Sequence, residues 1–151
     1  MARFPDPLRV ELPVDGGAAY LLTQFEYRDS ALGSICVPQG FETDFASVKP
    51  LRSIAWLLLA FSLVVGWFWP EAGALIGALG YGAFALYAEI VGVGDAAATV
   101  HDYLYSSGKL CRCAADRVFY SALRDSGVAR WRAWLMWAGV RLGGYWRYNK
   151  Q

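Results

Sequence analysis

The chain has one histidine, His101, and the residues around it are of types that can activate water. Asp102 follows it directly and Tyr105 stands four positions on. On a helix, His101 and Asp102 point about 100° apart, whereas His101 and Tyr105 share a face. Beyond Gly108, the run Ala115-Asp116-Arg117-Val118-Phe119 lies in a second helical stretch. Antiparallel packing of the two helices brings Asp116 to His101, where a carboxylate fixes the imidazole tautomer and stabilises its protonated form. An imidazole held in that way is a general base for water. His101, Asp116 and Tyr105 are therefore the candidate catalytic set. The alternative for the same residues is a clamp between two helices with no chemistry. Asp102, facing elsewhere, is a candidate cation ligand. Asp44, in the polar loop Thr43-Asp44-Phe45-Ala46-Ser47, is either a second metal ligand beside it or an Asx-turn former. Cys111 and Cys113 are two thiols where a zinc site needs four ligands, so zinc is not expected.

These side chains need a frame, and the pattern of the chain supplies one of α+β class. Val10, Leu12 and Val14 alternate with other residues before the turn signal Asp15-Gly16-Gly17. A second extended run covers Tyr20 to Tyr27 and ends at Arg28-Asp29-Ser30; a third covers Ile35 to Pro38, with Gln39-Gly40 as a turn. The plain expectation is one small N-terminal antiparallel β-sheet. After Gly94 the pattern is helical. Asp95 is expected to cap a helix over Ala96 to Tyr105, Gly108 ends it, and a second helix runs from Arg112 to Asp125 before Gly127. The third helix, Ala129 to Tyr145, places Trp131, Trp134, Leu135, Ala138 and Leu142 at helical spacing with arginines beside them. That pattern suits either a core-facing helix or one lying among lipid headgroups.

Between the two portions lies the most unusual stretch of the chain. Ser53 to Trp69 contains no charged residue, and neither does Ala72 to Ala88 after Pro70-Glu71. Each run is long enough for a helix of roughly 25 Å, at the lower limit for crossing a hydrocarbon core of about 30 Å. Pro70 breaks the two, and Gly73, Gly77, Gly80 and Gly82 offer a small-residue face for close packing. A transmembrane helical hairpin over 53–89 is expected, inserted between 1–52 and 90–151, which together form one domain. Lys49 and Arg52 precede the hairpin and only Glu71 lies in its turn, so the positive-inside rule puts both polar portions in the cytoplasm, at a bacterial inner membrane.

Composition agrees with that frame. The chain is 56% hydrophobic and 18% charged over 151 residues, against about 25% charged in soluble domains. A net charge of +1 gives no electrostatic case for nucleic acid. Three cysteines without a disulfide framework point to a reducing compartment, and the first thirty residues lack a signal-peptide core. Membrane lipid is the expected partner, with self-association through the hairpin as a second expectation.

Two resemblances sharpen this. Asp95 to Leu123, with the order Asp-Ala-Ala-Ala, His101-Asp102, Tyr105 and then Ala115-Asp116 and Phe119, resembles the catalytic helices of phospholipase A2, most closely the form found in parvovirus capsid proteins. The resemblance implies that His101 activates water against a lipid ester, Asp102 binds calcium, Asp116 orients the histidine and Tyr105 supports it. The nearest counterpart of that superfamily's calcium loop is Gly92-Val93-Gly94. More of the chain is similar to a phage and prophage family, domain-of-unknown-function family 1353. That similarity rests on Gly40 to Val48, His101 to Tyr105, Ala115 to Phe119, Gly127-Val128 and Val140-Arg141. It implies a phage or prophage origin, makes Asp44 a site candidate and carries no established activity. The function expected is a lipid ester hydrolase in the membrane. A non-enzymatic phage membrane protein, acting in lysis or in exclusion of a second infection, is the alternative.

Overall fold

The computed structural model describes residues 3–14, 17–45 and 49–143. These form an α+β arrangement in two compact units, Met1–Phe45 with Gly92–Gln151, and Ala46–Val91.

In the first unit, β1 (Val10–Glu11), β2 (Ala19–Leu21) and β5 (Glu42–Thr43) make a three-stranded antiparallel sheet with β2 in the middle. A separate antiparallel hairpin pairs β3 (Phe25–Asp29) with β4 (Gly33–Val37), Phe25 opposite Val37 and Asp29 opposite Gly33. The single sheet expected from sequence is thus two. The run from Tyr20 to Tyr27 divides because Leu21 is bonded to Phe41 and Gly40 in the first sheet, while Phe25 begins the pairing of the second. The Asp29 carboxylate accepts the backbone N–H groups of Ala31 and Leu32, an Asx turn that closes the hairpin. The turn expected at Asp15-Gly16 lies outside the described residues.

Three helices complete this unit: α3 (Asp95–Ser107), α4 (Arg112–Asp125) and α5 (Arg130–Gly143). Its buried interior joins Leu21, Phe25, Tyr27 and Val37 of the strands with Val100, Leu104, Phe119 and Leu123 of the helices. Tyr27 donates to the Asp125 carboxylate at 2.8 Å, tying β3 to the end of α4. Asp95 is not the N-cap of α3. Gly94 holds that position with φ 79°, and no side chain caps it. A left-handed residue is needed there, and a Cβ on it would run into the Leu123 side chain. Gly92-Val93-Gly94 is therefore a helix-entry turn. Of the two placements open to α5, the core-facing one does not hold for Trp131 (53% exposed), Trp134 (59%) or Leu142 (85%); Ala133, Met136 and Val140 are its buried residues. Its expected extension to Tyr145 passes beyond the described residues.

The second unit contains α1 (Lys49–Phe68) and α2 (Pro70–Ile90), with Pro70 at the first turn of α2, where its missing N–H costs nothing. The two pack as a hairpin through small residues. A Cβ on Gly73 would lie 2.6 Å from the Gly66 nitrogen and 2.9 Å from the Ser62 carbonyl oxygen, and one on Gly80 would meet Leu59 at 3.0 Å. Gly77 faces Ser62, but Gly82 has nothing within 4 Å and is not part of the contact. Both helices are long and apolar enough to cross a membrane, and only 6% and 17% of their apolar windows are buried within the protein. Trp56, Leu57, Phe61, Leu63, Trp67 and Leu75 are all exposed. That exposure is the opposite of what the core hairpin of a soluble protein shows.

Candidate functional site

The α3–α4 pair is joined by a short link after Gly108, whose φ of 60° ends α3, so the helices fold back on each other. His101 and Tyr105, one turn apart, both face Asp116. His101 Nε2 lies 3.1 Å from Asp116 Oδ1, and the Tyr105 hydroxyl donates to the same oxygen at 2.5 Å. The histidine ring is 4% exposed and Asp116 is 1% exposed. Tyr105 and Phe119 pack against the imidazole, with ring centroids 4.1 and 4.8 Å away. The three residues expected to form the catalytic set are thus brought into mutual contact.

Oδ2 of Asp116 faces cations. Arg141 Nη1 of α5 donates to it at 3.1 Å, and Arg112 Nε, one turn earlier on α4, is 3.9 Å away. Burial pushes the Asp116 carboxyl up, but hydrogen bonds from His101, Tyr105 and Arg141 outweigh it and hold the group below its ordinary value. An ionised carboxylate only accepts hydrogen bonds. His101 Nε2 is therefore the donor to Asp116. Burial, then the hydrogen bond to Asp116, pushes the Tyr105 phenol up, so it stays a neutral donor.

Arg112 also donates to the carbonyls of Val140 and Arg141, near the end of the described part of α5. Asp116 and Arg112 together tie α3, α4 and α5. Neither arginine was singled out from sequence as a site residue. Arg112 was legible as the (i, i−4) neighbour of Asp116. Arg141 is 25 residues away in sequence, and no local spacing connects it to Asp116.

The segment before the hairpin also reaches α3. Thr43 donates to Asp102 Oδ2 at 2.7 Å, and Phe41 packs edge-on against Tyr103 with centroids 5.5 Å apart. This sets Asp44 next to the residue that meets Asp102. Phe45, the following residue, has a φ of 47°, a left-handed conformation that costs a side-chain-bearing residue about 1–3 kcal/mol. Among the described residues no group of three or more His, Cys, Asp or Glu side chains could hold a metal ion. Calcium takes six to eight oxygen ligands, and the Gly92 to Gly94 turn is occupied in starting α3.

Residues 83–140 match the family model described as protein of unknown function DUF1353, a span that takes in α3, α4 and most of α5 with His101 and Asp116. No curated protein and no solved structure matches the chain.

Proposed function

We propose that this is an integral membrane protein of phage or prophage type that hydrolyses a lipid ester through His101 and Asp116. The observation that carries the reading is the pairing of one imidazole with a buried carboxylate: His101 Nε2 meets Asp116 Oδ1 at 3.1 Å, the contact that would orient a general base. In the reaction, Nδ1 removes a proton from water as its oxygen attacks the ester carbonyl carbon. The imidazolium is stabilised by Asp116, and the proton passes to the departing alcohol oxygen, leaving a fatty acid and a lysolipid. Tyr105 holds the second donor position on Asp116 Oδ1 and keeps the carboxylate in place. The exposed apolar surface of α1 and α2 supports a membrane setting in which the substrate is the surrounding lipid.

Purified full-length protein in phospholipid vesicles should release fatty acid, and His101→Gln should abolish the release while leaving the fold intact by circular dichroism. Absence of release from the wild-type protein, with or without divalent ions, removes the enzymatic reading. One observation favours a second reading: Arg141 also occupies Asp116, and a carboxylate shared among three helices is what a structural clamp requires. In that case the hairpin is the working part, and His101→Gln retains full effect in a host-lysis or superinfection assay.

A further inference from the structure

The surface between α4 and α5 carries a second feature, on the side of Asp116 away from His101. Cys113, Arg117 and Tyr120 follow one another at helical spacing on α4; Trp134, Trp137 and Arg141 do the same on α5. Together they line an open groove of about 460 Å³. Its lining holds two arginines, three aromatic rings and no acidic side chain. Arg141 reaches across it, with Nη1 3.4 Å from Cys113 Sγ. Asp116 of α4 lies behind the groove and pairs with Arg141 at 3.1 Å. α5 itself carries Arg130, Arg132 and Arg141, with Trp131 and Trp134 exposed beside them.

We infer that this groove docks the headgroup of an anionic phospholipid, with Arg117 and Arg141 on the phosphate and Trp134, Trp137 and Tyr120 against the glycerol and upper acyl chain. Guanidinium groups bind phosphate through paired charged hydrogen bonds. Tryptophan and tyrosine suit the level where headgroup meets hydrocarbon, because one end of each ring is apolar and the other polar. A soluble acidic partner would account for the arginines but leave the exposed tryptophans and Leu142 without a role. The inference rests on α1 and α2 being membrane helices and not on hydrolysis.

The test is lipid retention. Full-length protein is purified in neutral detergent with equal amounts of phosphatidylglycerol and phosphatidylcholine, and bound lipid is counted by native mass spectrometry. Wild type should retain phosphatidylglycerol in preference. Arg117→Gln, an exposed position whose loss leaves the core untouched, should weaken that preference about tenfold, the value of one charged contact. Trp134→Ser should weaken retention of both lipids. Lys109→Gln, the same change of charge away from the groove, should have no effect. Equal retention of the two lipids by wild type overturns the inference, as does an equal effect of Lys109→Gln, or displacement of the lipid by inorganic phosphate or an acidic peptide at matched concentration. His101→Gln should lose hydrolysis and keep lipid preference, so failure of one proposal is separable from failure of the other.

Discussion

Replacing Asp116 with asparagine tests how much of this protein depends on a single buried carboxylate. In the wild type, Oδ1 accepts from His101 and Tyr105 and Oδ2 accepts from Arg141. An amide has one acceptor oxygen and one NH2, and both sets of neighbours are donors, so its NH2 must meet donors on one side or the other. Facing the arginine is the cheaper choice, because the Arg141 side chain is 37% exposed and can turn to water, where such a pair is worth about 0–1 kcal/mol. The buried NH2 left behind costs about 1–3 kcal/mol, and the hydrogen bonds from His101 and Tyr105 lose their charge assistance. The sum is about 2–4 kcal/mol, or a fall in thermal midpoint of roughly 4–16 °C for a chain of this size. The assay is tryptophan-monitored unfolding in detergent between pH 2 and pH 8. Because the folded Asp116 carboxyl lies below its unfolded value, its stabilising contribution is complete above the unfolded value of about 3.9. It is lost as pH falls through the folded value. Wild type should therefore show a larger acid decline than Asp116→Asn. A midpoint at pH 7 within about 2 °C of wild type, with the same acid decline in both proteins, would refute the argument that Asp116 organises the three helices.

The other expectations follow from the same geometry. Tyr105→Phe removes one donor to Asp116 and should cost about 1–3 kcal/mol while shifting the acid decline to higher pH, read in the same unfolding experiment. Thr43→Val removes the hydrogen bond to Asp102 and should destabilise by about 1–3 kcal/mol, seen as earlier proteolysis of the segment before the hairpin; an unchanged cleavage rate would count against that contact. Gly73→Ala places a methyl group against the Gly66 backbone, which cannot give way, and overpacking of this kind costs about 1–3 kcal/mol. Gly82→Ala meets open space and should gain up to about 1 kcal/mol in helix propensity. Opposite signs for these two in a detergent-denaturation titration are the expected result, and equal signs would disprove the close crossing of α1 and α2.

Much of the frame is readable along the chain. Two uncharged stretches divided by Pro70 mark α1 and α2 because burial in hydrocarbon or protein leaves no room for charge over that length. Gly108 and Gly127 mark helix ends because a left-handed turn there suits only glycine. His101, Tyr105 and Asp116 are linked by helical periodicity and a short turn, so local geometry alone brings them to one another. The division of the strands into two sheets is not readable, since it depends on which distant strand Leu21 and Phe25 each find. Nor is the inner face of α5: tryptophan and leucine at helical spacing suit a core or a lipid surface alike, and only packing shows that Ala133, Met136 and Val140 are the buried residues. Arg141 and Thr43 reach the centre across 25 and 59 residues of chain. Periodicity governs neighbours on one element; which elements meet, and which ion then settles a buried charge, is decided by packing of the whole.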